Sequence, residues 1–404
     1  MDSRVTRRYY LHRAAMTTGL FWPVFPLLLL DRGVSFAGIG TLLAVEAAVT
    51  LLAEVPTGFV GDAVGRRNSL LLGGALMLVG ELGFAFAHRF GAFAAVYVCF
   101  GLARTFQSGS GDAWLYDVLA ADGREADFTR VRGRGESITH WASTLAMLAS
   151  GVLYAANPAA PFLASAALAV VDLVVLAGVP PVEGTRETRV GASEVVPTLR
   201  RTLSKQSVWP FVAVAAAFFG VERAVSEFIP SVTTAVLGSA VPLPSGGGSA
   251  DVAFVGVFFA GFTAVSAVAS YFAGDVRARV GAPTALAAAG YLSAALMIAA
   301  AFSPPVALAS FVVVKTADAL VLPLVNGYVN DRIDTAGRAT TLSATSMLFT
   351  VAKMPLLVGA GVLADSADAF AAVAGLGGFF AVAASVVLLV RTPAEAAASA
   401  STAE

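Results

Sequence analysis

Long apolar runs follow one another along almost the whole chain. Because the hydrocarbon core of a bilayer is about 30 Å thick, a helix needs about 20 consecutive apolar residues to cross it. The breaks between the runs predict twelve spanning helices, near residues 11–30, 36–57, 69–87, 91–115, 136–156, 161–179, 208–236, 252–273, 283–302, 305–329, 339–363 and 368–390. With 57% hydrophobic and 13% charged residues, the chain is too apolar to cover the surface of a water-soluble protein. We therefore expect an all-α membrane protein with the lipid bilayer as its solvent.

Basic residues are distributed unequally between the two sides of the predicted membrane. With the N-terminus in the cytoplasm, the outside segments hold Arg32 and Arg89, and the inside segments hold most of the other arginines and lysines. Positively charged loops stay on the cytoplasmic side. The sequence therefore predicts a multi-pass protein of the cell membrane with both termini in the cytoplasm. The basic start leads into an apolar run without a small-residue cleavage site, so we expect no cleaved signal peptide.

The longest inside loop, 180–207, divides the predicted helices into two sets of six. The expected organisation is an N-terminal six-helix bundle over 1–179, this connecting loop, a C-terminal six-helix bundle over 208–391, and a disordered cytoplasmic tail over 392–404. Within the loop, the apolar residues share one helical face, which suits a short helix on the inner leaflet. A solvated linker is the alternative.

The two halves contain a repeated pattern. Gly61-Asp62 and Asp117 in the first half recur, at a constant offset, as Gly274-Asp275 and Asn330 in the second half. Two pseudo-symmetric half-bundles are typical of transporters that rock around a site near the membrane midplane. The repeat therefore favours transport as the function.

The turn between predicted spans 2 and 3 is the most informative segment. It contains Gly58, Asp62, Gly65, Arg66 and Arg67. Glycines permit close helix approach and positive backbone φ angles, and the acid with two arginines suits a charged latch at the membrane face. A basic inside turn of the kind any membrane protein has is the alternative for Arg67.

This turn resembles the G-x-x-x-D-x-x-G-R-[KR] signature of the major facilitator superfamily, and residues 54–58 (Glu-Val-Pro-Thr-Gly) are similar to a segment of its drug-efflux-like members. The resemblance implies a fold of twelve transmembrane helices in two pseudo-symmetric six-helix bundles. It also implies a gating latch, in which Asp62 caps the start of the eleventh span. In that latch Arg66 pairs with an acid at the inner end of the fourth span, where Asp117 stands.

Ionisable side chains at membrane depth are costly and indicate functional sites. The fourth span holds Arg104, Gln107 and Asp112, in a run similar to the family's R-x-x-Q-G motif. The resemblance implies that Arg104 faces a central cavity and takes part in proton coupling or substrate binding. For Gln107 and Asp112, helix packing is the alternative, because small residues surround them. Glu46 is a further candidate in the second span.

The seventh span holds Glu222, Arg223 and Glu227, and the tenth holds Lys315 and Asp318 on one helical face. The family resemblance implies that these spans line the cavity. Among mixed buried charges, a carboxylate can bind and release a proton near the working pH. We predict that Glu227 or Asp318 carries a coupling proton, and a static set of salt bridges is the alternative.

Two further acids, Glu81 and Asp172, lie in the third and sixth spans. These spans are peripheral in the family that the chain resembles. That position favours a structural role for both carboxylates.

Sequence features disagree about whether the chain exports or imports its cargo. The family's antiporter motif is absent from the fifth span, whereas residues 54–58 and the lack of a sugar-porter signature favour export. The sequence predicts a secondary active transporter that exports small organic or amphipathic compounds, coupled to protons, by alternating access. The alternatives are uptake or facilitated diffusion of a small metabolite, and a non-transporting membrane sensor.

Other function classes lack the residues that they need. The three histidines, His12, His88 and His140, are scattered, and no metal-ligand spacing or glycine-rich phosphate loop is present in the sequence. We therefore expect no enzyme activity, cofactor or metal site. A net charge of −1 gives no reason to expect nucleic-acid binding. The expected partners are a small-molecule substrate, protons and the lipid bilayer, with the chain as a monomer.

Overall fold

The computed structural model describes residues 2–108, 110–179, 208–240, 249–332 and 338–401. In the first half of the chain the α-helices are α1 (Asp2–Ala15), α2 (Phe25–Asp31), α3 (Phe36–Val64), α4 (Arg66–Phe86), α5 (Phe90–Ser108), α6 (Ser110–Ala121), α7 (Phe128–Ala156) and α8 (Ala160–Ala177). In the second half they are α9 (Trp209–Ser226), α10 (Ile229–Ala240), α11 (Ser249–Tyr271), α12 (Ala273–Val280), α13 (Ala282–Ala300), α14 (Pro304–Asn330), α15 (Arg338–Ser366) and α16 (Ala369–Ser401). The predicted all-α fold class is confirmed.

Apolar side chains cover the outside of these helices. Leu52, Val79 and Leu389 are all more than half exposed, and helices that are hydrophobic on every side are typical of membrane spans. Within the described residues, 10 helical segments are long and apolar enough to cross a bilayer. The predicted spans 11–30 and 136–156 are not among them.

These two differences have different physical causes. The span 11–30 is interrupted after α1, and α2 begins only at Phe25. Pro23 lies in the interruption, and proline has no backbone N–H to donate within a helix. The span 136–156 is a continuous part of α7, but its first half contains the polar residues His140, Ser143 and Thr144, which lower its hydropathy.

The predicted seventh span is also broken. Helix α9 ends at Ser226, and α10 begins at Ile229, so Glu227 lies at the break. Pro230 explains the interruption, because its ring nitrogen cannot donate to the carbonyl of Ser226. The break places the ionisable side chain of Glu227 between the ends of two helices.

The chain forms two compact units. The first comprises Met1–Val34, Val45–Arg189 and Leu237–Ala260, and the second comprises Ser35–Ala44, Val190–Val236 and Gly261–Glu404. The boundary at residues 189 and 190 falls within the predicted connecting loop, but 35–44 and 237–260 belong to the opposite unit from the one expected.

Close packing explains both exchanged segments. In the second unit, the carboxylate of Asp365 on α15 accepts hydrogen bonds from the backbone N–H groups of Phe36 (2.8 Å) and Ala37 (2.9 Å) at the start of α3. In the first unit, Gly256 on α11 lies so close to α7 that a Cβ atom there would overlap the carbonyl oxygen of Met147. Each segment therefore packs with the helices of the unit to which it is assigned.

The two units share one packing scheme. In the first, α4 packs against α5 and α8, while in the second, α13 packs against α14 and α16. This equivalence is consistent with the predicted internal repeat. In the first unit the core contains an aromatic cluster in which Phe84 stacks on Phe162 with ring centroids 4.8 Å apart.

The connecting loop and the C-terminal tail are the two predicted segments without a membrane span. The connecting loop 180–207, with its expected surface helix, lies outside the described residues. The tail over 392–404 was expected to be disordered, whereas α16 continues to Ser401. The alanine-rich sequence between Ala394 and Ala400 explains the difference, because alanine has the highest intrinsic helix propensity.

Candidate functional site

The turn between α3 and α4 brings the predicted latch residues together. Gly65 has a φ angle of 85°, a backbone conformation that glycine adopts without steric cost. Directly after it, Arg66 Nη1 lies 3.1 Å from Asp117 Oδ2 on α6. Arg67 Nη2 donates to the carbonyl oxygen of Ala177 at 2.5 Å. Both arginines therefore tie the turn to other helices of the first unit.

The contact between Arg66 and Asp117 is the one that the family motif implies. Gly58 is buried in α3, as close helix packing requires. The side chain of Asp62 lies outside the described part of the molecule. Capping of the eleventh span by Asp62, and the latch role of the whole turn, stay predictions.

Arg104 on α5 forms an ion pair in the first unit. Its Nη2 atom lies 2.9 Å from Oε1 of Glu46 on α3, and its side chain is 62% exposed, against 11% for Glu46. The guanidinium therefore neutralises a nearly buried carboxylate and still presents donors to its surroundings. Such a group is able to bind an anion or a carboxylate of a ligand.

The structure does not bring Gln107 and Asp112 to Arg104. Gln107 lines a cavity inside the first unit, whereas Asp112 is half exposed and forms an ion pair with Arg132, with Nε 2.9 Å from Oδ2. The three residues that the sequence places on one predicted span thus have three different environments.

The second unit contains a charged cluster between α9 and α14. Lys315 Nζ lies 2.6 Å from Oε1 of Glu222, and the hydroxyl of Ser226 donates to the same oxygen at 3.0 Å. Glu222 is buried. In an apolar interior, opposite charges must be paired and hydrogen-bonded to offset the loss of hydration.

Asp318 lies one helical turn after Lys315 on α14. The charges of both Glu222 and Lys315 act on its carboxylate. Among the residues that the structure describes, none donates a hydrogen bond to the Asp318 carboxylate. Asp318 is therefore a second acid near a single ammonium group.

The remaining predicted pair lies within α9 and its C-terminal end. Arg223 Nη2 is 3.0 Å from Oε1 of Glu227, and the Glu227 side chain is 7% exposed. The five predicted residues of spans 7 and 10 thus form two ion pairs and one additional carboxylate. Helical spacing could place Lys315 and Asp318 on one face, but the partner of each charge across helices was not predictable from spacing.

Comparison with known proteins decides the family. The family model described as Major Facilitator Superfamily matches residues 14–354. The chain belongs to the major facilitator superfamily. It is a multi-pass membrane transporter of that superfamily, not an enzyme, and these two predictions are confirmed. Its drug-efflux-like character stays a prediction.

Curated superfamily relatives match over part of their length. A probable vesicular acetylcholine transporter-B of Danio rerio is 32% identical over 163 residues, which are 38% of this chain and 32% of that protein. The vesicular acetylcholine transporter of Mus musculus is 29% identical over 180 residues, which are 44% of this chain and 32% of that protein. The matched part of the chain spans about a third of the length of these relatives.

Solved superfamily structures share the fold of the whole chain. The nucleoside transporter NupG superposes with a TM-score of 0.80 at 12% identity, covering 96% of this chain and 99% of that one. A D-xylose-proton symporter superposes with a TM-score of 0.67 at 13% identity, covering 95% and 97%. At such identities the similarity establishes the superfamily fold and not the cargo.

Proposed function

We propose that this superfamily member is a proton-coupled exporter of small organic or amphipathic compounds. It works by alternating access in the cell membrane as a monomer with both termini in the cytoplasm. One observation carries the proposal, namely two carboxylates, Glu222 and Asp318, near the ammonium group of Lys315 in an apolar interior. Arg104 in the first unit and the Arg223–Glu227 pair in the second are further charged groups that we propose take part in transport.

The cluster couples protons to cargo through its charge. When Asp318 is protonated, Lys315 neutralises Glu222 and the three groups carry no net charge. Loss of the proton leaves one uncompensated negative charge in a medium of low dielectric constant, which is strongly unfavourable. A cargo molecule with a positive or strongly polar group offsets that charge. Proton and cargo therefore exclude each other, which is the requirement for exchange.

This scheme favours an organic cation as cargo. The curated relatives carry the name of acetylcholine, itself a small organic cation. The cavity acids proposed here, Glu227 and Asp318, have the charge to attract such a molecule. We therefore propose small organic cations as the first compounds to test.

The test is transport in proteoliposomes with an imposed pH gradient. A panel of fluorescent organic cations and unlabelled quaternary ammonium compounds, which have no neutral form that crosses the bilayer, is screened with both orientations of the gradient. Export coupled to protons predicts that cargo accumulates on the acidic side. Accumulation on the alkaline side would show uptake with protons, and equilibration without accumulation at any pH gradient would show facilitated diffusion. Either result contradicts the proposal.

Variants identify the coupling residue. Asp318→Asn and Glu227→Gln remove one titratable carboxylate each, and Asp122→Asn, an exposed acid, is the matched control. The proposal requires that at least one of the first two variants loses gradient-driven accumulation while the control keeps it. Undiminished coupling in both would overturn the assignment.

A further inference from the structure

A cavity inside the first unit is separate from the charged cluster of α9 and α14. It is enclosed by the residues after α1 together with α4, α5 and α8, and its polar lining includes Thr17, Glu81, Gln107 and Asp172. All of these residues belong to the first compact unit. The proposed export mechanism does not use either acid.

The carboxyl group of Glu81 is only half satisfied. The residue is 3% exposed, and Oε1 accepts a hydrogen bond from the hydroxyl of Ser165 at 2.6 Å. Its other oxygen, Oε2, is buried and has no hydrogen-bond partner among the described residues. A buried, ionised carboxylate with one oxygen unpaired is strongly unfavourable. A proton on Oε2 removes the charge and converts that oxygen into a donor.

Asp172 forms a second acidic group on the same cavity. Its Oδ1 atom lies 2.6 Å from Nδ1 of His12 on α1, and both residues are buried. At this distance the imidazole and the carboxylate are joined by a hydrogen bond. The imidazole has a second ring nitrogen, which can take up a proton while the first stays bonded to Asp172.

The charges that face Glu81 are few. Asp172 on α8 is the titratable neighbour whose charge acts on it, with His12 of α1 behind Asp172. Helix α5 contributes Gln107 to the lining, and the residues after α1 contribute Thr17 and Thr18. Among these described lining residues there is no Lys or Arg to neutralise Glu81.

We propose that this cavity is an exchangeable proton-binding site, with the proton on Glu81 and the Asp172–His12 pair as its exchange partner. The transfer is balanced, because the O–H bond of Glu81 breaks as a proton is taken up by the carboxylate–imidazole pair, and no oxidant or reductant takes part. The site itself does not depend on the proposed function. Its use as a coupling site in transport does rest on that function.

Infrared spectroscopy of the purified full-length protein tests the site directly. Buried protonated carboxyl groups absorb apart from carboxylates, so their signal is followed across a pH titration in detergent. We expect the wild type to show a titrating carboxyl component that Glu81→Gln lacks, and this component is read from the difference between the two titrations because Asp318 gives a signal of its own. The component remains in Glu125→Gln, which changes an exposed glutamate. In Asp172→Asn the titration differs from that of the wild type, because the neighbouring acid on the cavity has been removed.

Other results would overturn the proposal. A Glu81→Gln titration identical to that of the wild type, or a Glu81 component that never titrates, excludes an exchangeable proton on Glu81. Replacement of potassium by sodium at constant ionic strength must leave the titration unchanged, and a shift would identify a metal-cation site instead. If Glu81→Gln does not fold, Ser165→Ala leaves the carboxyl in place but removes its donor, and an unaltered titration in that variant contradicts the assignment.

The same purified protein distinguishes a failure of the proton site from a failure of the proposed export function. Asp318→Asn must keep the Glu81 signal even if it abolishes transport. If no cargo is found and the Glu81 titration is still observed, the proton site stands and the export function fails. If transport is coupled and the Glu81 signal is absent, only the proton site fails.

Discussion

The ammonium nitrogen of Lys315 lies 2.6 Å from Oε1 of Glu222, although the two residues are 93 positions apart in the chain. This ion pair joins α9 to α14 within the second unit. It is the contact that makes one positive charge available to two carboxylates, Glu222 and Asp318. With the Arg223–Glu227 pair included, the five charged groups at α9 and α14 hold one more negative than positive charge.

Removal of Lys315 is expected to destabilise the second unit. In Lys315→Met, the buried carboxylate of Glu222 loses its partner, and breaking a buried pair in this way costs roughly 3–5 kcal/mol. The midpoint of thermal unfolding in detergent falls, and gradient-driven transport is lost. The control is Arg89→Met, because Arg89 is exposed.

The double variant Glu222→Gln with Lys315→Met separates pairing from simple packing. It removes both charges, so we expect it to recover most of the lost stability. The net charge of the three groups then matches the wild type, because one charge of each sign has been removed, so proton coupling through Asp318 is expected to return in part. A double variant no more stable than Lys315→Met would show that the ion pair does not determine the stability of this region.

The Arg66–Asp117 contact predicts a charge-swap result. Arg66→Asp leaves two acids in contact, and we expect the transport rate to fall by about tenfold or more, corresponding to at least about 1.4 kcal/mol. The swap Arg66→Asp with Asp117→Arg restores opposite charges and is expected to regain part of the rate. Transport by the single and double variants in proteoliposomes measures the effect. Equal rates in the two would mean that the pair has no role in gating.

The approach of α11 to α7 predicts intolerance of any side chain at Gly256. A Cβ atom at that position overlaps the carbonyl oxygen of Met147, whereas one at Gly261 on the same helix meets nothing within 4 Å. Overpacking of this kind costs roughly 1–3 kcal/mol. Gly256→Ala is therefore expected to lower the unfolding midpoint, and Gly261→Ala is the matched control. Equal midpoints for the two would contradict the packing described here.

Asp127 gives a pH-dependent prediction in the turn between α6 and α7. The hydrogen bond from Arg124, assisted by the charge of Arg130, holds the pKa of the Asp127 carboxyl below its ordinary value. A lowered pKa stabilises the folded state above the unfolded-state pKa, which is about 3.9 for aspartate. This contribution is lost as the pH falls through the folded-state pKa.

The measurement compares wild type and Asp127→Asn by thermal unfolding at several pH values. We expect the wild type to be slightly the more stable at neutral pH, and the difference to vanish under acidic conditions. The effect is small because the carboxyl is solvent-exposed. A difference that grows on acidification has the opposite sign and would exclude this explanation.

Local sequence patterns predicted the fold class and the environment of one motif. The Arg66–Asp117 contact follows from a turn in which glycines and charges have a recognisable spacing. Pro23 and Pro230 also indicate the breaks in the first and seventh predicted spans. Both prolines lie within long apolar runs, which predict continuous helices. Hydropathy averages over a window and is insensitive to a missing N–H donor.

Contacts between distant helices were not predictable from a single sequence. His12 and Asp172 are 160 positions apart, and nothing in the spacing of either helix indicates that they meet. For the same reason the pairing of Arg104 with Glu46 was missed, although both were candidates. Peripheral placement in the family suggested a structural role for Glu81, whereas its unpaired oxygen became visible only in three dimensions.

We propose that protons and cargo move in opposite directions through one site, in which Asp318 or Glu227 carries the proton. The most direct measurement loads proteoliposomes with an organic cation that the screen identifies, without any initial pH gradient, and records internal pH with a trapped dye as cargo leaves. We expect the interior to acidify only when cargo is present. This acidification is absent in Asp318→Asn or Glu227→Gln. Internal alkalinisation, or cargo efflux with no change in internal pH, would contradict it.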